Sequence, residues 1–167
     1  MKHPYLIVLG VFVLAIWSAP ATHADNQQVA PKQFAVYPIG QITKQDGRTT
    51  IILDRKYQTG LLGLYGFSHV YVLYWFDRND TPQNRSVLQV HPRGNKKNPL
   101  SGVFATRAPV RPNLIALSLC KVISVRENVI EIDKIDAFPN TPVLDLKPYI
   151  PSIDTANASL PEWLKSK

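Results

Sequence analysis

Two short stretches carry side chains whose types and spacing suit chemistry. GVFATRAPVRPN, residues 102–113, sets Arg107 and Arg111 on a segment stiffened by Pro109 and Pro112. Each proline ring fixes its own φ and drives the residue before it, Ala108 or Arg111, towards extended backbone. Guanidinium groups on so rigid a loop suit a planar anion such as a carboxylate or phosphate. On residue types alone, two solvated arginines on a turn are the plainer reading. The second stretch is DLKPY, where strand alternation puts Asp145, Lys147 and Tyr149 on one face and Leu144 and Leu146 on the other. An acid, a base and a phenol then converge, either to orient a substrate or as a surface salt bridge at a strand end.

Further candidates are weaker. His69 opens the most apolar run of the chain, so it needs a partner when buried. HPRGNKKN groups Arg93, Lys96 and Lys97 beside His91, a set able to meet phosphates or simply to be solvated. Cys120 is the only cysteine and lies in LIALSLCKVISV, which excludes an intramolecular disulfide and a Cys-based zinc site and reads as a buried thiol. No metal is expected. The chain has no GxGxxG after a strand, no GxxxxGK[ST] and no GxSxG, which argues against dinucleotide-binding, phosphate-loop and serine-hydrolase chemistry.

These residues need a scaffold. The chain has 167 residues, 45% hydrophobic and 19% charged, with net charge +7, the composition of one globular domain biased towards anionic partners. Residues 34–39 and 49–53 read as strands around the polar loop QITKQDGR with its Asp46-Gly47 turn. RKYQTGLLGLYG allows one or two helical turns, limited by Gly60, Gly63 and Gly66. VYVLYWF, residues 70–76, lacks polar alternation and predicts a central strand covered on both faces. Residues 77–85 read as a polar loop and 87–91 as a strand. Residues 115–125 and 129–135 form a hairpin, and 143–146 the last strand. Short, closely spaced strands predict an all-β, barrel-like domain with minor helix. S-L-P-E from Ser159 signals a brief terminal helix. At the other end, Lys2, the apolar run 6–17 and a small-residue stretch ending at Ala24 form a secretory signal peptide, too short for a membrane span. Export to the periplasm or medium is expected, with no stable membrane span after cleavage; a misassigned start codon would instead leave a cytoplasmic protein.

Taken together, YPIG at Tyr37, GLLGLYGFSHVYVLYWF at Gly60, LQVHPRG at Leu88, GVFATRAPVRPN and TPVLDLKPYIP resemble the TsaA-like or TrmO family. The resemblance spans residues 34–154, between a signal peptide (1–24) with a linker (25–33) and a tail (155–167). It implies a small β-barrel, commonly dimeric, that uses S-adenosyl-L-methionine to methylate threonylcarbamoyladenosine in tRNA or a related substrate. By matching motif positions it assigns cofactor contacts to His69, Arg93, Phe104, Thr106, Arg107, Arg111 and Asn113. Asp145, Lys147 and Tyr149, with Pro148 in the same D-x-K-P-Y signature, are assigned to catalysis. Where the family reads RPNPIGLS this chain reads RPNLIALS, with Leu114 for proline and Ala116 for glycine. The competing expectation is an exported, non-enzymatic protein that keeps the barrel and binds a small ligand.

Overall fold

The computed structural model describes residues 32–156 and 158–165. The stretch expected to be a signal peptide lies outside them, as does most of the expected linker. Residues 35–167 form one compact unit. Its body is a closed antiparallel barrel in the order β1 (Gly40–Gln45), β2 (Arg48–Leu53), β7 (Val129–Ile132), β6 (Ile115–Arg126), β3 (His69–Trp75), β8 (Pro142–Pro148), with β8 returning to β1. A separate ribbon pairs β4 (Gln89–Val90) with β5 (Ser101–Gly102).

Inward residues fill the barrel. Ile42, Ile51, Val70, Val72, Ile130, Ile132 and Val143 are all but inaccessible to solvent, the close-packed arrangement of a small barrel. β1 and β2 meet at Asp46 and Gly47, both with positive φ, a two-residue turn whose twist suits a hairpin. Gly40 stands where the ring closes, paired with Leu53 on one side and Val143 on the other. A Cβ there would strike the Ile52 carbonyl oxygen and the Leu53 Cα, so only glycine permits this approach.

Several expectations are corrected. The first strand is Gly40–Gln45, inside the stretch read as a polar loop, whereas residues 34–39 have no regular structure. Only Ile42 of β1 points fully inward, so its polar outward positions hide the alternation. β3 is not covered on both faces: Val70, Val72 and Tyr74 are buried while His69, Tyr71, Leu73 and Trp75 are only half-buried. The loop 77–85 contains a helix, α1 (Pro82–Ser86), whose Thr81 accepts a hydrogen bond from the Asn84 N–H at 3.2 Å and whose first residue is proline. The expected helical turns after Arg55 are present as 3₁₀ turns, broken at Gly63 with φ 86°. Two more short helices follow the barrel, α2 (Pro151–Asp154) and α3 (Glu162–Lys165). Among the described residues no helix is long and apolar enough to cross a membrane.

Candidate active site

The arginine loop is built around one main-chain atom. Val103 is buried and starts a single 3₁₀ turn, Val103–Ala105. Its carbonyl accepts from the Thr106 N–H at 3.2 Å, the Thr106 hydroxyl at 3.1 Å and Nη2 of Arg111 at 3.2 Å. Arg111 is therefore a staple of the loop as well as part of its surface. Arg107 is exposed, and no hydrogen bond or ion pair is formed by its side chain among the described residues. The far end of the loop is clamped from α1, where Arg85 donates through Nη1 to the Pro112 carbonyl at 2.9 Å and through Nε to Asp80 at 2.7 Å. The Trp75 ring N–H also donates to Asp80, at 3.1 Å. These hydrogen bonds, Arg85's foremost, hold the Asp80 carboxyl below its usual range.

A cavity of about 520 Å³ opens between this loop and one end of the barrel. Arg107, Arg111 and Asp136 stand on its rim; Tyr74, Ala116 and Ser118 lie beneath. Burial pushes the Tyr74 phenol up from its ordinary value, keeping it a donor; it donates to the Asp136 carbonyl at 2.8 Å and meets the Ser118 hydroxyl at 3.3 Å. A neighbouring lobe of about 690 Å³ shares Thr106, Arg107 and Asp136 and adds Arg93, Phe104 and Trp163. Arg93 reaches it from a left-handed backbone, φ 59° and ψ 22°, a conformation costing a non-glycine residue about 1–2 kcal/mol. The turn is fastened by Asn98, which donates Nδ2 to the Pro92 carbonyl at 2.8 Å and offers its own carbonyl to Nδ1 of His91 at 2.8 Å. Arg93, Arg107 and Arg111, the Asp136 carboxylate, the Thr106 hydroxyl and the rings of Tyr74, Phe104 and Trp163 thus line a space large enough for a nucleoside-sized zwitterion.

The strand cluster is positioned by register. Between Val143, opposite Tyr74, and Asp145, opposite Leu73, the β8–β3 pairing shifts by one residue. That bulge at Leu144 re-aims the strand, so Val143 faces the core while Asp145 and Lys147 share the outer face with Leu73 and Tyr71. Asp145 pairs with Lys147 at 2.9 Å and also accepts the Leu146 N–H at 2.9 Å. The hydrogen bond to Asp145 raises the Lys147 pKa, which fixes it as an ammonium. Tyr149 meets the rings of Tyr71 and His69 edge-on, at 5.8 and 6.3 Å between centroids. Its hydroxyl lies 2.9 Å from the Thr155 hydroxyl, and its N–H donates to the His69 carbonyl at 3.0 Å.

The two sets of sequence-assigned residues fall in different places. Arg93, Phe104, Thr106, Arg107 and Arg111 gather around the two lobes; Asn113 is exposed at the end of the same loop. His69 joins Tyr149 instead, at the opposite end of β3 from Trp75, and six residue steps along a strand span about 20 Å. Asp145 borders a separate cavity of about 510 Å³ with Lys56 and Leu146. Sequence reasoning missed Asp80, Arg85 and Asp136. The Asp80–Arg85 pair ties a residue just before a five-residue helix to one inside it, a spacing no motif records, and Asp136 sits in a turn whose neighbours are set only by the closed barrel.

With this geometry in view, comparison with other proteins is decisive. The profile of the tRNA-methyltransferase O N-terminal domain matches residues 26–155. The chain belongs to the TrmO family. Among its relatives, a probable S-adenosyl-L-methionine-binding protein of Methanocaldococcus jannaschii is 42% identical over 117 residues, 70% of this chain and 93% of that one. A tRNA (adenine(37)-N6)-methyltransferase of Rattus norvegicus is 42% identical over 95 residues, 57% of this chain but 21% of the rat protein. The crystal structure of TrmO from Pseudomonas aeruginosa superposes with a TM-score of 0.60 at 29% identity, covering 77% of this chain and 61% of that one. Against the TrmO pattern, Leu114 is fully buried at φ 51°. A proline ring cannot take that angle, so the backbone here differs from one built on the family's proline. The Ala116 methyl is buried in the barrel core beside the cavity.

Proposed function

We propose that this chain is an S-adenosylmethionine-dependent methyltransferase whose acceptor is the N6 nitrogen of threonylcarbamoyladenosine in tRNA, and that it acts as a homodimer. The observation that carries this reading is the cationic cavity formed by Arg107, Arg111 and Asp136 on a stapled loop, in a chain of the TrmO family. S-adenosylmethionine supplies a sulfonium-bound methyl group, whose C–S bond breaks as the N–C bond forms. Arg107, held by no other side chain, would hold the amino-acid carboxylate with its guanidinium, and Asp136 would balance the ammonium. At the other site Lys147 stays charged, so it orients by charge rather than taking a proton; Asp145 is the anionic acceptor for the proton that leaves the nitrogen. Tyr149 walls the acceptor against His69 and Tyr71.

Methyl transfer needs the reacting atoms about 3–3.5 Å apart, and a single chain keeps the Arg107 cavity and the Tyr149 cluster at opposite ends of β3. A second copy resolves this. Ile115, Leu117 and Leu119 on the outward face of β6 are each more than 40% exposed and continue into Tyr71, Leu73 and Trp75 of β3, an apolar surface suited to an isologous twofold contact. The test is complementation: Arg107→Ala and Asp145→Ala chains, each inactive alone, regain about a quarter of wild-type methyl transfer when mixed and reassociated, because half the dimers carry one intact site. No recovery overturns the shared site. Calorimetric titration of the full chain with S-adenosylmethionine tests the cofactor directly, and absence of binding overturns the enzyme reading. Export, supported by the apolar run 6–17, and tRNA modification require different compartments. Cell fractionation separates them: full-length cytoplasmic chain supports the tRNA acceptor, whereas a processed exported chain redirects the reaction to another adenine-bearing acceptor.

A further inference from the structure

The tail beyond the family match contributes to the site. The TrmO profile ends at residue 155, yet Trp163 and Leu164 of α3 line the same 690 Å³ lobe as Arg93, Phe104 and Arg107. A four-residue helix has no stability of its own, and Trp163 is half-buried where it lines this lobe. Phe104, which lines the same lobe, is 78% exposed, a large ring left bare beside charged groups. Two aromatic side chains and two guanidinium groups bordering one lobe describe a slot for a flat, uncharged ring attached to an anionic or zwitterionic chain. Arg107 and Asp136 are matched to the charged amino-acid end of such a ligand, which leaves the aromatic side chains of the lobe to the purine.

We infer that Trp163 is a cofactor-binding residue, stacking on the adenine of the methyl donor and closing the lobe it shares with Phe104. The inference rests on the S-adenosylmethionine reading above. It is tested by calorimetry on the full chain, on Trp163→Ala, on Trp163→Phe and on a chain ending at Ala156, each titrated with S-adenosylmethionine and with S-adenosylhomocysteine. Loss of the indole or the tail weakens both ligands about tenfold, and phenylalanine keeps affinity within about threefold, since stacking needs a π-face and not the indole N–H. Ligand-free melting temperatures stay within about 2 °C of wild type, because the barrel core does not include the tail; the ligand-induced rise shrinks. If Trp163→Ala and the shortened chain bind both ligands as wild type does, the inference fails and the cofactor reading stands. A loss confined to S-adenosylmethionine also overturns it, because the ring would then face the sulfonium. If the wild-type chain binds neither ligand, both readings fall.

Discussion

The arginine loop and the strand cluster solve the same problem, holding polar side chains still, by opposite means. The loop is irregular chain fastened atom by atom: a carbonyl with three donors, a clamp from α1 and non-glycine residues in left-handed backbone at Arg93 and Leu114. The cluster has local ties, the Asp145–Lys147 pair and the Tyr149–Thr155 hydroxyl contact among them, but its placement comes from the sheet. Asp145, Lys147 and Tyr149 are placed by the pairing of β8 with β3, and one bulge decides which way they point. Loop positions are thus sensitive to substitutions in the loop itself, whereas cluster positions inherit the stability of the barrel and respond to the chemistry of their own side chains.

The sharpest way to break this contrast is at Leu114. Leu114→Pro installs the family's residue at a φ of 51° that the ring cannot adopt, and the expected result is a loss of about 3 kcal/mol or more of unfolding free energy, read by denaturant titration. An unchanged midpoint would show that the loop is not individually held. Next, Asp145→Asn removes the anion while preserving shape. Methyl transfer is expected to fall about a hundredfold with donor affinity unchanged, the signature of a group that acts on the acceptor side. A matching loss in donor affinity would merge the two regions into one.

Cys120 is buried in the core on β6, where its charge would also be felt by the Tyr74 phenol beneath the arginine loop. Burial pushes its thiol from an ordinary value near 9 up to about 11. The unfolded chain sheds this proton first, so stability is complete below pH 9 and is lost as pH climbs towards 11, by about 2 kcal/mol. Cys120→Ala should flatten the decline between pH 9 and 10 in pH-resolved unfolding, before buried Tyr74 adds its own loss of the same sign. The smallest expected effect is Arg85→Ala. Freeing the Pro112 carbonyl loosens the loop without removing a ligand contact, and donor affinity should drop about threefold to fivefold by calorimetry, with turnover at saturating donor unaltered. Unchanged affinity would mean the α1 clamp plays no part in the site.

Much of this scaffold was legible from residue types. The hairpin β6–β7, the strand after His69 and the 3₁₀ turns punctuated by glycines follow from alternation, β-branched content and turn residues. β1 was not legible, because a strand whose only fully inward residue is Ile42 reads as polar loop until its partners are known. The short α1 helix carried a sequence signal in Thr81-Pro82, visible only once the loop is allowed a single turn. For the site, motif positions singled out the arginines and the D-x-K-P-Y residues as candidates but not their grouping. That His69 sits with Tyr149 follows from the pairing of β3 with β8 in the barrel, and that Arg93 sits with Phe104 follows from the separate β4–β5 ribbon.

The carbonyl of Val103 has one consequence for anyone mapping this protein genetically. Every amino acid brings the same oxygen, so no codon change at position 103 deletes it, and saturation mutagenesis there would register only the fit of the side chain in its buried seat. The hub would surface through its donors, as correlated sensitivity at Thr106 and Arg111, two positions whose side chains share an acceptor that leaves no trace of its own in the mutational record.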